Sequence, residues 1–146
     1  MEGNCYSRKR MVLLIDDEEH FCYFVKANLE RTGQFVVLIA TDGLHGIRLA
    51  QINRPDIILL DINMPGLDGQ ATAERILETE NIHNIPLIFI SALVTKNEVS
   101  ARGGMIAGRT FMAKPVTCHE LIAAIDFLLS HRKDDEFDGT PLPDGA

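Results

Sequence analysis

Cysteine, tryptophan and long apolar segments are scarce or absent in this chain of 146 residues. There is no tryptophan, and the three cysteines, Cys5, Cys22 and Cys118, are far apart and form no CxxC pair. This number and spacing exclude a disulfide scaffold, favour reduced thiols and argue against a structural zinc site. The longest apolar runs, at 11–15 and 35–40, are far too short to span a bilayer, and no secretory signal precedes them. We therefore expect a soluble protein of the cytoplasm.

An excess of positive charge is also lacking. The chain carries 14 basic and 21 acidic residues, a net charge of −7, and residues 134–146 hold five of the acids and no base. Residues 1–133 are therefore nearly neutral, so direct binding to nucleic acid is not expected. We predict a polar lead-in at 1–10, one globular domain at 11–131, and an acidic tail at 132–146 that is disordered or begins a linker.

Five short apolar runs are typical of strands that are buried on both faces, because they lack polar alternation and are rich in Val, Ile, Leu and Phe. They occupy residues 11–15, 35–40, 57–60, 86–90 and 110–113. Helical patterns separate them, the third beginning near the turn at 68–69, so strand and helix alternate five times. This alternation predicts an α/β fold, a (βα)5 doubly wound parallel sheet of five strands in the order 2-1-3-4-5, similar to flavodoxin.

The helical patterns differ in strength. The apolar stripes are Phe21, Val25 and Leu29 in the first helix, Leu44, Ile47 and Ala50 in the second, and Ala73, Ile76 and Leu77 in the third. Gly33 stands where a glycine ends a helix, and Thr117 with Glu120 fits a capping box at the start of the last helix. The fourth helix, within 95–107, is the weakest, because Gly103 and Gly104 each cost about 1 kcal/mol relative to alanine. We expect it to be short or mobile.

Polar side chains follow four of the five predicted strands. Asp16 and Asp17 follow the first strand and Asp61 the third, while Ser91 and Lys114 follow the fourth and fifth. Because ligands bind at the carboxyl ends of parallel strands, near the point where the strand order reverses, we expect these side chains to converge. Three carboxylates and one lysine leave a charge of about −2, which one divalent cation would neutralise. Oxygen ligands alone favour Mg²⁺.

This group of side chains suits phosphoryl transfer. A carboxylate next to Mg²⁺ and a lysine can attack phosphorus and form an aspartyl phosphate. The cation and Lys114 would neutralise charge on the transferring group, and the Ser91 hydroxyl would hydrogen-bond one of its oxygens.

Four segments, MVLLIDDEE, PDIILLDINMPGLDG, LIFISA and FMAKP, together resemble the receiver domain of two-component response regulators. They occur in the family's order and spacing over about residues 10–131. The resemblance implies that Asp61 is the phosphoacceptor and that Asp17 is a direct Mg²⁺ ligand. It further implies that Asp16 acts on the ion indirectly or through water, and that the backbone carbonyl of Asn63 completes the protein ligands.

The resemblance also implies a conformational switch. Ser91 matches the family's switch hydroxyl, Lys114 its lysine that contacts the phosphoryl group, and Phe111 its aromatic rotamer switch. The peptide bond before Pro115 is expected to be cis. Phosphorylation of Asp61 would draw Ser91 toward it and let Phe111 turn inward. The surface formed by the fourth helix, fifth strand and fifth helix would then be repacked for a partner or a homodimer.

The partners that the resemblance implies are a sensor histidine kinase or a histidine phosphotransfer protein as donor, and a downstream protein or output domain as target. No membrane or nucleic acid is expected to bind directly. The chain would catalyse only its own phosphorylation and slow autodephosphorylation, either as a stand-alone receiver or as part of a longer regulator or hybrid kinase.

Two alternatives stay open. One is a receiver fold that no longer switches and serves as a constitutive interaction module, which the glycines of the fourth helix permit. The other is a Mg²⁺-dependent phosphohydrolase that forms an aspartyl phosphate. Such an enzyme normally has a carboxylate two residues after its nucleophile, where this chain has Asn63.

Overall fold

The computed structural model describes residues 8–62, 69–106 and 109–137, with the backbone alone at 106 and 132–137. Within these ranges six strands and five helices follow one another. The strands are β1 (Arg10–Ile15), β2 (Phe35–Ala40), β3 (Ile57–Asp61), β4 (Leu87–Ser91), β5 (Met105–Ile106) and β6 (Arg109–Ala113). The helices are α1 (Glu19–Arg31), α2 (Gly43–Asn53), α3 (Gly69–Glu78), α4 (Lys96–Ala101) and α5 (Cys118–Phe137). None of the helices in the described ranges has the length and apolar character needed to cross a membrane.

The strands form one sheet in the order β2-β1-β3-β4-β6-β5. The first five strands of this order are parallel, which confirms the predicted arrangement 2-1-3-4-5. The two-residue strand β5 pairs antiparallel with β6 at the edge of the sheet, and the sequence does not predict it. Strand order therefore reverses between β1 and β3, as expected for a ligand site at their carboxyl ends.

Strand β5 lies within 95–107, the stretch in which the sequence predicts the fourth helix. That helix, α4, is only six residues long, so the expectation that it is short is confirmed. Gly103 and Gly104 follow it with φ angles of +65° and +82°, which glycine adopts without the steric cost of a side chain. Two successive residues in this left-handed region end the helix and turn the chain into β5.

Each face of the sheet carries its own core. In β1, Val12 and Leu14 point toward α1 and α5, whereas Leu13 and Ile15 point toward α2 and α3, because successive side chains of a strand alternate between faces. All four are completely buried. Full burial of one such side chain contributes about 1.5–3 kcal/mol, so β1 stabilises the helix layers on both faces of the sheet.

The stripe predicted for α2 is wrong at Leu44, which is 55% exposed. The buried residues of this helix are Gly43, Gly46 and Ala50. A side chain at Gly46 would overlap the end of the Ile15 side chain, so α2 packs closely against the sheet through its small residues. Leu77 of α3 is likewise exposed, at 41%, because Ala73 and Ile76 form the buried face of that helix.

Two predicted helix ends are confirmed. Gly33 follows α1 with a φ of +79°. Before α5, the Thr117 hydroxyl accepts a hydrogen bond from the Glu120 backbone N–H at 3.0 Å, and the Glu120 carboxylate accepts one from the Thr117 N–H at 2.9 Å. Helix α5 runs to Phe137, beyond the predicted domain boundary at residue 131. The remainder of the predicted tail, 138–146, and most of the lead-in lie outside the described residues.

Candidate functional site

The carboxyl ends of four parallel strands bring the predicted polar residues to one edge of the sheet. Asp16 directly follows β1, Asp61 ends β3, Ser91 ends β4 and Lys114 directly follows β6. The Lys114 backbone N–H donates to the Ser91 carbonyl at 2.9 Å, and the Asp16 N–H donates to the Ala40 carbonyl at 3.0 Å. The strand ladders therefore continue up to the site, so rigid backbone positions these side chains.

Three carboxylates lie at the centre of this edge. Asp16, Asp17 and Asp61 each offer an oxygen atom, and these oxygens all lie within 4.8 Å of one another. Asp16 is completely buried and Asp61 is 5% exposed, whereas Asp17 faces solvent. One Asp16 oxygen, Oδ1, accepts a hydrogen bond from the Glu18 backbone N–H at 2.9 Å, which ties the carboxylate to the start of α1. Like charges this close repel, and a hard divalent cation would relieve the repulsion.

Lys114 is the counter-charge of the three carboxylates. Its Nζ lies 2.8 Å from Asp16 Oδ2, 2.6 Å from Glu18 Oε1 and 3.8 Å from Asp61 Oδ2. The ammonium group also lies 4.4 Å from the centre of the Phe21 ring. Burial alone would lower the pKa of Lys114, but the hydrogen bonds to Asp16 and Glu18 outweigh it and raise the pKa above its ordinary value. The lysine therefore stays positively charged at neutral pH.

Glu18 is a site residue to which the sequence assigned no role. It is exposed, and its position directly after the Asp16-Asp17 pair is the only sequence signal for it. Its contact with Lys114 joins residues 96 positions apart, so only the fold brings the two together.

Ser91 ends β4, the strand that pairs with β3, and Phe111 lies within β6, the next strand of the sheet. Ser91 is buried, and its hydroxyl oxygen accepts a hydrogen bond from the Leu93 backbone N–H at 2.9 Å. The half-buried Phe111 ring packs on Phe89, with ring centres 5.0 Å apart. Phe111 lines two cavities, one of about 440 Å³ next to α4 and α5 and one of about 230 Å³ next to α3. The ring therefore has open space on two sides.

Cys22 packs beneath the site as a buried free thiol. Its Sγ donates to the Asp16 backbone carbonyl at 3.3 Å, and burial, with the nearby Asp16 charge, raises the pKa of the thiol to about 12. Cys118 is also a free thiol, whereas Cys5 lies outside the described residues. The Lys114–Pro115 peptide bond is cis, the isomer expected from the resemblance. The predicted ligand Asn63 lies outside the described residues.

Gly69 holds α3 against the strand that carries Asp61. A Cβ atom at this position would overlap the Asp61 carbonyl oxygen and the Ile62 Cα. The Gly69 N–H also donates to the Ile62 carbonyl at 3.2 Å. The sequence predicts Gly69 only as part of a turn before a helix, whereas the structure shows that any side chain here would displace the backbone next to Asp61.

Gly69→Ala is therefore expected to lower the free energy of unfolding by about 1–3 kcal/mol, the cost of forcing an extra group into a packed site. Without the overlap, alanine would instead stabilise a helix position by up to about 1 kcal/mol. Urea denaturation measures the difference. Gln70→Ala, at the exposed neighbouring position, is the control and is expected to change stability by less than about 0.5 kcal/mol. Equal stability of the two variants would contradict the close approach.

The structure is an α/β domain with an acidic pocket. Its sheet has five parallel strands and one short antiparallel strand, and the carboxylates and Lys114 lie where the strand order reverses. The family model "Response regulator receiver domain" matches residues 12–126. This chain belongs to the response regulator receiver domain family, and its recognition from the sequence is confirmed. Such domains serve two-component, phosphorylation-dependent signalling and are not classical enzymes.

Curated relatives of the chain are response regulators. PrrA, a transcriptional regulatory protein of Mycobacterium tuberculosis, is 35% identical over 122 residues, which are 83% of this chain and 50% of PrrA. The chain thus spans about half the length of PrrA. Protein PilH of Pseudomonas aeruginosa is 31% identical over 121 residues, 82% of this chain and 97% of PilH.

Solved receiver domains share the fold. The Francisella response regulator 1452 receiver domain has a TM-score of 0.68 and 31% identity, and the match covers 85% of this chain and 99% of that domain. The receiver domain of the sensor histidine kinase PA1611 of Pseudomonas aeruginosa PAO1 has a TM-score of 0.69 and 28% identity, covering 84% and 99%. That domain was solved with a magnesium ion coordinated in its active site cleft.

Proposed function

We propose that this chain is a phosphorylation-controlled receiver of a phosphorelay, in which Asp61 accepts a phosphoryl group with the help of Mg²⁺. The observation that carries the proposal is the convergence of three carboxylates within 4.8 Å beside the ammonium group of Lys114. A nucleophile, a cation site and a fixed positive charge are the parts that phosphoryl transfer to a carboxylate requires.

The donor atoms at the site fit Mg²⁺. Asp16, Asp17 and Asp61 supply oxygen only, and with Lys114 the group keeps a charge of about −2. Asp17 and Asp61 would ligate the ion directly, the buried Asp16 would act indirectly or through water, and the Asn63 carbonyl would add a ligand. When bound, the ion offsets the negative charge of the phosphoryl oxygens. The magnesium in the PA1611 receiver supports this assignment.

Asp61 performs the chemistry in this proposal. One of its carboxylate oxygens attacks the phosphorus of a phosphohistidine, so that a P–O bond forms while the P–N bond breaks and leaves its electron pair on the imidazole nitrogen. Lys114, 3.8 Å away, then pairs with the phosphoryl oxygens, and the Ser91 hydroxyl donates to one of them. Attack of water on phosphorus returns the Asp61 carboxylate and inorganic phosphate, which ends the signal.

A cavity beside Lys114 suits the phosphodonor protein. It has a volume of about 540 Å³ and includes Phe21, Phe24, Ala92 and Pro115 in its lining. Phe24 is 46% exposed at its rim. An apolar recess next to the charged pocket would receive the apolar side of a helix whose histidine reaches Asp61. The donor is accordingly a sensor histidine kinase or a histidine phosphotransfer protein.

The surface formed by α4, β6 and α5 binds the downstream partner and changes on phosphorylation. In the phosphorylated state the Ser91 hydroxyl leaves the Leu93 N–H for the phosphoryl group, and Phe111 moves into the space that opens. The cavity of about 440 Å³ at this surface is bordered by Phe111, Lys96 and Glu120, and the last two form an ion pair of 3.2 Å between α4 and α5. Repacking here would change binding to a target protein, an output domain or a second copy of the chain.

Intact mass after incubation with a small-molecule phosphodonor tests this function. We expect a single phosphoryl increment with Mg²⁺, no increment after chelation of the metal, and none in Asp61→Asn. No increment under any donor or metal condition would contradict the proposal and favour a non-switching interaction module. Rapid turnover of the donor without accumulation of phosphorylated protein would instead indicate fast autodephosphorylation or the phosphohydrolase.

A further inference from the structure

Two carboxylates contact the Lys114 ammonium group, and they differ in exposure. Asp16 is completely buried, and its Oδ2 lies 2.8 Å from Nζ. Glu18 Oε1 lies 2.6 Å from Nζ, although the Glu18 side chain is 62% exposed. Asp61 is farther away, at 3.8 Å. The closest partner of the lysine is therefore an exposed side chain rather than the phosphoacceptor.

We propose that Glu18 is a positioning residue that acts as an outer latch on Lys114 and competes with the phosphoryl group of Asp61 for the ammonium. The proposal rests on the proposed function, because the competitor is the phosphoryl group. In the unphosphorylated protein Glu18 accepts a hydrogen bond from one of the three N–H groups of the Lys114 ammonium. In the phosphorylated protein a phosphoryl oxygen takes that place and Glu18 turns to solvent.

Glu18 is the partner that can leave at low cost. A charged pair with an exposed member contributes only about 0.2–1 kcal/mol, whereas an unpaired charge in the interior costs several times more, so Asp16 stays in place. A phosphoryl group brings nearly two negative charges and three acceptor oxygens, more than the carboxylate of Glu18 offers. Glu18 precedes α1 as its N-cap residue but makes no side-chain capping hydrogen bond, so its release does not unwind the helix.

The matched variants Glu18→Gln and Glu19→Gln test the latch. Both remove one exposed negative charge near the site, but of these two glutamates only Glu18 forms an ion pair with Lys114 among the described residues. Phosphorylation by a small phosphodonor with Mg²⁺, followed by intact mass, gives the rate for each variant. Proton exchange of the Lys114 side-chain ammonium, followed by NMR in the unphosphorylated protein, gives a second readout that needs neither phosphodonor nor metal.

We expect Glu18→Gln to raise the phosphorylation rate about two- to fivefold relative to Glu19→Gln, the factor that corresponds to loss of an exposed ion pair. The Lys114 ammonium should also exchange faster in Glu18→Gln and as in wild type in Glu19→Gln. Equal rates in the two variants, or a slower rate in Glu18→Gln, would overturn the latch while leaving Asp61 as phosphoacceptor. A wild-type chain that accepts no phosphoryl group would refute the proposed function as well.

Discussion

Asp17→Asn is expected to weaken Mg²⁺ binding by at least about 10- to 100-fold, the loss typical when even an indirect partner of a metal is removed. Asp17 is the exposed member of the three-carboxylate cluster, so it meets an entering ion first, and asparagine takes away its charge. Calorimetric titration with Mg²⁺ measures the affinity. Phosphorylation at a Mg²⁺ concentration near the wild-type dissociation constant should fall in parallel.

The same substitution should leave the metal-free protein folded. Asp17 faces solvent, and its loss relieves repulsion on the buried Asp16 and Asp61. Wild type should gain about 2.7 kcal/mol of stability when Mg²⁺ is present at 100 times its dissociation constant, whereas Asp17→Asn should gain far less at that concentration. Glu19→Gln, which removes an exposed charge outside the cluster, should keep the wild-type gain. An unchanged Mg²⁺ response in Asp17→Asn would place the ion elsewhere.

Residues at strand ends were predictable from sequence because their positions follow from topology. Once five apolar runs alternate with helices, the right-handed crossover rule leaves few strand orders, and the carboxyl ends of the parallel strands must meet. Asp16, Asp61, Ser91 and Lys114 each stand at such an end, so their convergence needed no knowledge of side-chain packing. The roles assigned to them stay proposals.

Other features depend on tertiary packing, which the local sequence pattern does not indicate. Leu44 fits the apolar stripe of α2, but the helix buries glycines instead, because the close approach to Ile15 leaves room for small residues only. Met105 lies in the stretch 95–107, within which the sequence predicts the fourth helix, yet after the left-handed Gly103 and Gly104 it belongs to an edge strand. Glu18 contacts Lys114, which lies 96 positions later in the chain, and the local sequence around a charged residue at the start of a helix does not indicate such a partner.

Lys114→Met is expected to lower the free energy of unfolding by about 3 kcal/mol, because it leaves the completely buried Asp16 without its counter-charge. Methionine matches the length of the lysine stem, so the loss reports the charge more than the volume. Urea denaturation at neutral pH without Mg²⁺ measures it. Lys96→Met, which breaks an exposed ion pair with Glu120, is the control and should cost less than about 1 kcal/mol.

Asp16→Asn should rescue Lys114→Met, because the neutral amide no longer needs a positive partner. The loss in free energy of unfolding of the double variant should be about 1–3 kcal/mol smaller than the sum of the losses of the two single variants. Coupling of this size is typical of residues in direct contact. Additive costs would show that the two side chains do not stabilise each other.

The stability difference between wild type and Lys114→Met should also depend on pH. Because the pKa of Lys114 is raised in the folded protein, its contribution is fully present below the ordinary lysine value of 10.5 and is lost as the pH rises through the higher folded pKa. The difference should therefore stay constant from about pH 7 to pH 9 and narrow above pH 10.5. A difference that narrows already near neutral pH would mean that the lysine is not held as a cation, and the charge balance on which phosphoryl transfer to Asp61 depends would fail with it.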